Sequence, residues 1–211
     1  MRLWALLIFT ASQTILFSQD IKPQERLILN DSLVFMGIDF STAKFYNPDK
    51  TDKSIYIRDR HGPVWGQIDD IIARRNDLKY DFQKKFVRPM TFLFDSSYQQ
   101  LDSTWVIDGD YNGMSDAEVC AHIRKCPEVA TRGLGIVILI DQMDMKKKEV
   151  DICAVYVDLN NNKVIKIIRA TGGIGGGFGY TAYWNTGVEN AYHDFITKDD
   201  KYLKELKKFF K

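Results

Sequence analysis

Residues 135–170 read GIVILIDQMDMKKKEVDICAVYVDLNNNKVIKIIRA, and this stretch decides the fold. It holds three strongly apolar runs of strand length, Gly135 to Met143, Val150 to Leu159 and Lys163 to Ala170. Polar links separate them. Lys146-Lys147-Lys148 joins the first two, and Asn160-Asn161-Asn162 joins the second and third. Asparagine tolerates the left-handed backbone of tight hairpins, so the pattern predicts an antiparallel three-strand meander. The lysine run then falls on a solvated hairpin tip rather than in a phosphate-binding patch.

Upstream, Ser32 to Phe40 is apolar at both parities, the pattern of a strand covered on both faces. Asp39 near its end reads as an acid reaching solvent or a backbone amide rather than as a catalyst. Asn47 to Gly62 reads as a long loop with a short strand at Ile55 to Ile57. From Pro63 the positions Trp65, Ile68, Ile72, Leu78, Phe82 and Phe86 form one apolar stripe, which predicts a long helix. Strands are expected at Met90 to Phe94 and Thr104 to Ile107. Ser115 and Glu118 then form a capping box, with Met114 and Val119 at the staple positions, for a helix that ends by Pro127.

Downstream of the meander, a helix is expected from about Thr181, with Trp184, Val188, Ala191, Tyr192 and Phe195 on its inner face. A last short helix, capped by Asp199 or Asp200, presents Leu203, Leu206, Phe209 and Phe210. The order predicts an α/β (α+β) fold: a mixed, largely antiparallel sheet with a C-terminal three-strand meander and packed helices.

The N-terminus bounds the compartment. Arg2 precedes an apolar run from Leu3 to Phe17, and Ser18 is a small residue followed by polar Gln19. An apolar run this short reads as a secretory signal over residues 1–18 rather than a membrane span, which needs about 20 residues. Residues 19–30 follow as an N-terminal lead-in, and 31–211 as a single domain. The chain carries 29 Lys and Arg against 28 Asp and Glu, so no basic stripe for nucleic acid and no polybasic patch for lipid is expected. Cys120, Cys126 and Cys153 are too few for a disulfide framework; a single Cys126–Cys153 bridge is compatible with export. Cys120, His122 and Cys126 have a superficially zinc-like look, but their spacing fits no structural zinc pattern.

One segment could be a working site. Gly172 to Gly179 lies between a strand and a helix, where backbone amides can hold an anion. The string fills neither a dinucleotide nor a P-loop fingerprint, because Phe178 stands where glycine or lysine is required. Three readings stay open: a surface loop or close-packed crossover, a ligand-binding loop, and a partner-binding surface flanked by aromatics. The residues concerned are Gly173, Gly175, Gly176, Gly177, Phe178, Gly179, Tyr180, Tyr183 and Trp184. His61, His122 and His193 form no recognisable triad, and neither a nucleophile elbow nor a zinc-protease motif occurs. Asp69-Asp70 and Asp199-Asp200 read as helix-surface and cap residues. No catalytic residue, metal ligand or cofactor is assigned.

The strand ending Ile167-Ile168-Arg169-Ala170-Thr171, the glycine run with Phe178-Gly179, and Tyr183-Trp184 opening a helix resemble a group of small uncharacterised envelope proteins. These in turn are similar to periplasmic α/β domains of the curli-secretion lipoprotein, TolB N-terminal and penicillin-binding-protein-activator type. The element order matches over most of residues 32–198, and the motif-level likeness lies within 169–184. The resemblance implies a periplasmic or secreted, non-enzymatic accessory module that binds an envelope protein. The lipobox cysteine of the lipoproteins is missing, so no stable membrane anchor is implied. The alternative is a small-ligand or phosphate-binding protein, or an enzyme, using the glycine loop.

Overall fold

The computed structural model describes residues 21–46, 78–89, 106–107, 111–126, 131–175 and 180–211. Among these residues seven strands form one mixed sheet: β1 (Ser32–Asp39), β2 (Lys44–Tyr46), β3 (Phe86–Pro89), β4 (Val106–Ile107), β5 (Leu134–Asp144), β6 (Glu149–Asp158) and β7 (Lys163–Gly173). The antiparallel meander is β5–β6–β7, and its two ladders are the longest in the sheet. Lys148 and Asn162 take positive φ in its two turns, as tight hairpins require. On the other flank β5 pairs in parallel with β1 along its first half and with β2 along its last residues. β3 extends the sheet beside β1, and β4 beside β2, both in parallel.

Strand alternation sends the apolar runs to two separate cores. Ile136, Ile138 and Ile140 of β5 face one side with Ile152, Ala154 and Tyr156; Val137 and Leu139 face the other with Cys153 and Val155. The first side is covered by α1 (Leu78–Asp81), by the single long helix α3 (Tyr180–Phe209), and by a 3-10 segment, Pro23–Leu29. The second is covered by α2 (Asp116–Lys125) through Val119 and Ile123. The capping box holds α2 as expected: the Glu118 amide donates to Ser115 Oγ at 3.3 Å, and the Ser115 amide donates to Glu118 Oε2 at 2.7 Å.

Two irregularities in the ladder position the polar groups. Between Phe35 and Ile38 the β1–β5 register shifts, so Met36 and Gly37 together oppose one residue; Gly37 has φ 105°. This bulge turns Ile38 to the α3 side and Asp39 to the α2 side. A second shift, between Ile140 and Gln142, brings Met143 to the α3 side and so sets Asp144 to the opposite face, whereas Asp141 shares the parity of Val137 and Leu139.

Two expectations need correction. The helical stripe does not reach Phe86. Gln83 takes φ 50°, and the Lys84 amide donates to Lys79 O while that of Gln83 donates to Tyr80 O. This is a Schellman stop built without glycine, which apolar periodicity does not reveal. Phe86 instead opens β3 and is 72% exposed. No short final helix is capped at Asp199 or Asp200: α3 runs unbroken through both, with Lys204 paired to Asp200 and Asp199 buried against the sheet. Within the lead-in, Ile28 is fully buried and Glu25 accepts from Tyr202 at 2.5 Å. All three cysteines are unbridged. The expected strands at Ile55 to Ile57 and Met90 to Phe94, and the helix over 63–77, lie outside the described residues. Among the described residues, no helix is long and apolar enough to cross a membrane.

Candidate functional site

Among the described residues five carboxylates are buried: Glu25 beside α3, and Asp39, Asp141, Asp144 and Asp199 in the sheet or against it. Each is committed to donors that hold the fold. Asp39 accepts from the Ser41 amide at 2.8 Å and pairs with His122 Nε2 at 2.7 Å, clamping α2 onto β1. That bond, together with the Cys126 thiol, raises the His122 pKa to about 9, so the imidazolium is the resting form. Asp141 accepts from the Tyr111 hydroxyl at 2.8 Å and the Met114 amide at 2.9 Å, fastening the chain that leads into α2. Gly113, at φ 79°, permits this approach, since a Cβ there would come within 3.0 Å of the carboxylate. Asp144 accepts from the Lys146 and Lys147 amides and so shapes the hairpin turn.

Asp39, His122 and Cys126 have the composition of a nucleophilic-cysteine triad, and sequence spacing could not have joined them. Their placement argues against that chemistry. Cys126 caps the C-terminal end of α2, where the dipole opposes a thiolate, and its thiol donates to the His122 carbonyl at 3.7 Å. Cys153 is buried, and loss of solvent pushes its thiol up to about 12.

Beneath α3 lies a second polar set. Asp199 is fully buried, and the Tyr156 hydroxyl stands 3.0 and 2.9 Å from its two oxygens. Burial raises the Asp199 pKa to about 7. Nearby Lys84 donates to the Ile28 carbonyl, and burial lowers its ammonium to about 8. These groups tie the 3-10 segment, the turn before β3 and α3 to one another.

The glycine run divides in two. A Cβ on Gly172 would come within 2.1 Å of the Ala191 nitrogen and 2.2 Å of the Gly187 oxygen, so its beginning is a close backbone contact between β7 and α3. Gly173 and Gly175 face open space. Gly176, Gly177, Phe178 and Gly179 lie outside the described residues. Tyr180 opens α3 and Tyr183 is half-buried. Trp184 is wholly buried, 5.4 Å edge-on to Phe45, so it serves the core and is not offered to a partner.

The sheet edges carry what the sequence did not reveal. Among the described residues, the outermost meander strand, β7, pairs only with β6. Its outer backbone groups are met by a stripe of α3 side chains one turn apart. Asn190 donates to Gly173 O at 2.8 Å, Asp194 accepts from the Thr171 amide at 3.1 Å, and Lys198 donates to Arg169 O at 3.1 Å. These contacts blunt an edge that would otherwise template strand addition. The next helix position is Tyr202, which cannot continue the series: its hydroxyl donates to Glu25, and its ring carries Lys166 Nζ at 4.6 Å. Where the series stops, a groove of about 380 Å³ opens between β7 and α3, lined by Lys166, Arg169, Lys198, Lys201, Tyr202 and Glu205, among others. At the opposite flank a larger cleft of about 560 Å³ is lined by Lys79, Lys85, Arg88 and Arg132 over apolar β1 and β3 residues. Exposed Phe86 is part of its lining.

Fold and edges together define a three-layer α/β domain with basic clefts at both flanks of its sheet. Compared with known proteins, the chain matches no family model, no curated protein and no solved structure.

Proposed function

We propose that this chain is an exported α/β accessory domain of the cell envelope that binds another protein, without catalysis of its own. Export rests on the leader-like residues 1–18. Protein binding rests on one observation: among the described residues, the capping of the β7 edge ends at Lys198, beside a basic groove. An open strand edge is a recognition element for another backbone. The buried acids, His122 and the thiols engage structural partners, which fits a domain selected for rigidity rather than for moving protons.

The test uses the full chain carrying a C-terminal affinity tag in its own cells. Fractionation is expected to place a form lacking residues 1–18 outside the cytoplasm. Chemical crosslinking in intact cells followed by purification is expected to give an adduct of discrete mass. Cytosolic protein that retains Met1, or absence of any adduct, overturns the reading.

The alternative, a small-ligand protein, is favoured by the open space around Gly173 and Gly175. A saturable shift of those two amide resonances with inorganic phosphate, at constant ionic strength, would support it.

A further inference from the structure

We propose that the groove between β7 and α3 receives an extended, acidic segment of the partner protein, which adds to the β7 edge at Ile167. This deepens the protein-binding reading and rests on it.

The argument begins with backbone parity. Arg169 O, Thr171 N and Gly173 O all point away from β6, since each meets a side chain of α3. The β6–β7 register is unbroken from Lys166 to Gly173, so the two-residue repeat puts the amide and carbonyl of Ile167 on that same outer side. No described side chain of α3 reaches them, because Tyr202 occupies the helix position that would. Among the described residues, edge protection therefore ends one step short of the strand's middle, and the groove begins there.

Charge selects the occupant. Four cations, Lys166, Arg169, Lys198 and Lys201, line the groove against a single carboxylate, Glu205. Arg169 is held by Asp116 at 2.8 Å and Lys198 by Asp194 at 2.7 Å, so their charges are partly answered. Lys201 is exposed and has no described partner. A guest strand alternates its side chains between faces, so one face can set carboxylates beside Lys201 and Lys198 while its backbone pairs with Ile167. A nucleic acid would satisfy the cations but offers no matching backbone to a strand edge. A lipid headgroup would leave that edge unpaired as well.

The probe is a blocked heptapeptide of alternating Glu and Val, titrated onto the full chain, with the Lys–Val peptide as its counterpart. Affinity is read by fluorescence anisotropy and site by amide hydrogen exchange. The Glu–Val peptide is expected to bind and to slow exchange of the Ile167 amide by about tenfold or more, while the Thr171 amide, already bonded to Asp194, is unchanged. Lys201→Glu is expected to weaken binding by about tenfold. Lys208→Glu makes the same change in net charge at an exposed position outside the groove, and is expected to leave affinity unaltered. Equal loss in both variants, equal binding of the Lys–Val peptide, failure of the Glu–Val peptide to bind, or an unprotected Ile167 amide would each overturn the proposal. The probe is synthetic, so these failures leave the recovery of a cellular partner as a separate result.

Discussion

Replacing Asp199 by Asn should flatten the dependence of stability on pH. Asp199 sits in the interior of α3 with no exposure to solvent, against the Tyr156 hydroxyl. Burial moves its pKa from 3.8 to about 7, a raised value for an acid, so the folded state holds a proton that the unfolded chain releases. The sign follows from that. This group's contribution is fully present below about pH 4, declines as pH rises, and is lost once pH passes about 7. At 1.36 kcal/mol for each tenfold change in proton affinity, the whole loss is about 4 kcal/mol, of which about 3 kcal/mol falls between pH 5 and pH 8. Asn keeps an acceptor for Tyr156 and cannot ionise. Urea unfolding at the two pH values should therefore show the substituted protein gaining about 3 kcal/mol on the parent across that interval. Parallel profiles would refute the reasoning, since Asp199 would then ionise alike in both states.

The His122–Asp39 clamp titrates in a different window. With the His122 pKa raised to about 9, its stabilisation is complete below 6.5 and is lost as pH rises through about 9. Asp39→Asn is expected to cost about 2 kcal/mol at neutral pH, allowing for the partial exposure of the imidazole, and to move the His122 titration seen by NMR down towards 6.5. Gly172→Ala should lose more than about 3 kcal/mol or fail to accumulate as folded protein, because backbone atoms of α3 occupy the space of the new methyl group. Gly175→Ala, facing open space, should change the thermal midpoint little. Trp184→Ala should cost about 3–5 kcal/mol by circular dichroism melts, as a cavity beside Phe45 demands.

What was legible in the sequence was what depends on neighbours along the chain. The meander could be read because its runs have strand length and its links carry turn chemistry, and the Ser115–Glu118 box because both partners lie within four residues. The rest depends on positions that only folding brings together. Asp39 reaches His122 because a bulge at Met36 and Gly37 shifts the alternation by one; Gly37 inside an apolar strand is its local mark, but its partner His122 lies 83 residues away. Asp199 looked like a cap because an acid pair in a polar stretch is usually exposed; Tyr156, its partner, lies 43 residues away. Asn190, Asp194 and Lys198 do repeat every four residues, and the last two form an ordinary helix pair. Their role at the edge required knowing that, among the described strands, β7 has a neighbour on one side only. At the glycine segment, sequence gave the location but not the division between Gly172, which permits contact with α3, and Gly173 and Gly175, which face open space.

Site-specific photocrosslinking tests the binding role most directly. A photoreactive residue in place of Lys201, in the full chain within its own cells, should give one discrete adduct, and externally supplied Glu–Val peptide should suppress it. The same residue at Lys208 should give none. Absence of an adduct at position 201, or adducts of equal yield at both positions, would contradict recognition of a protein at the open edge of β7.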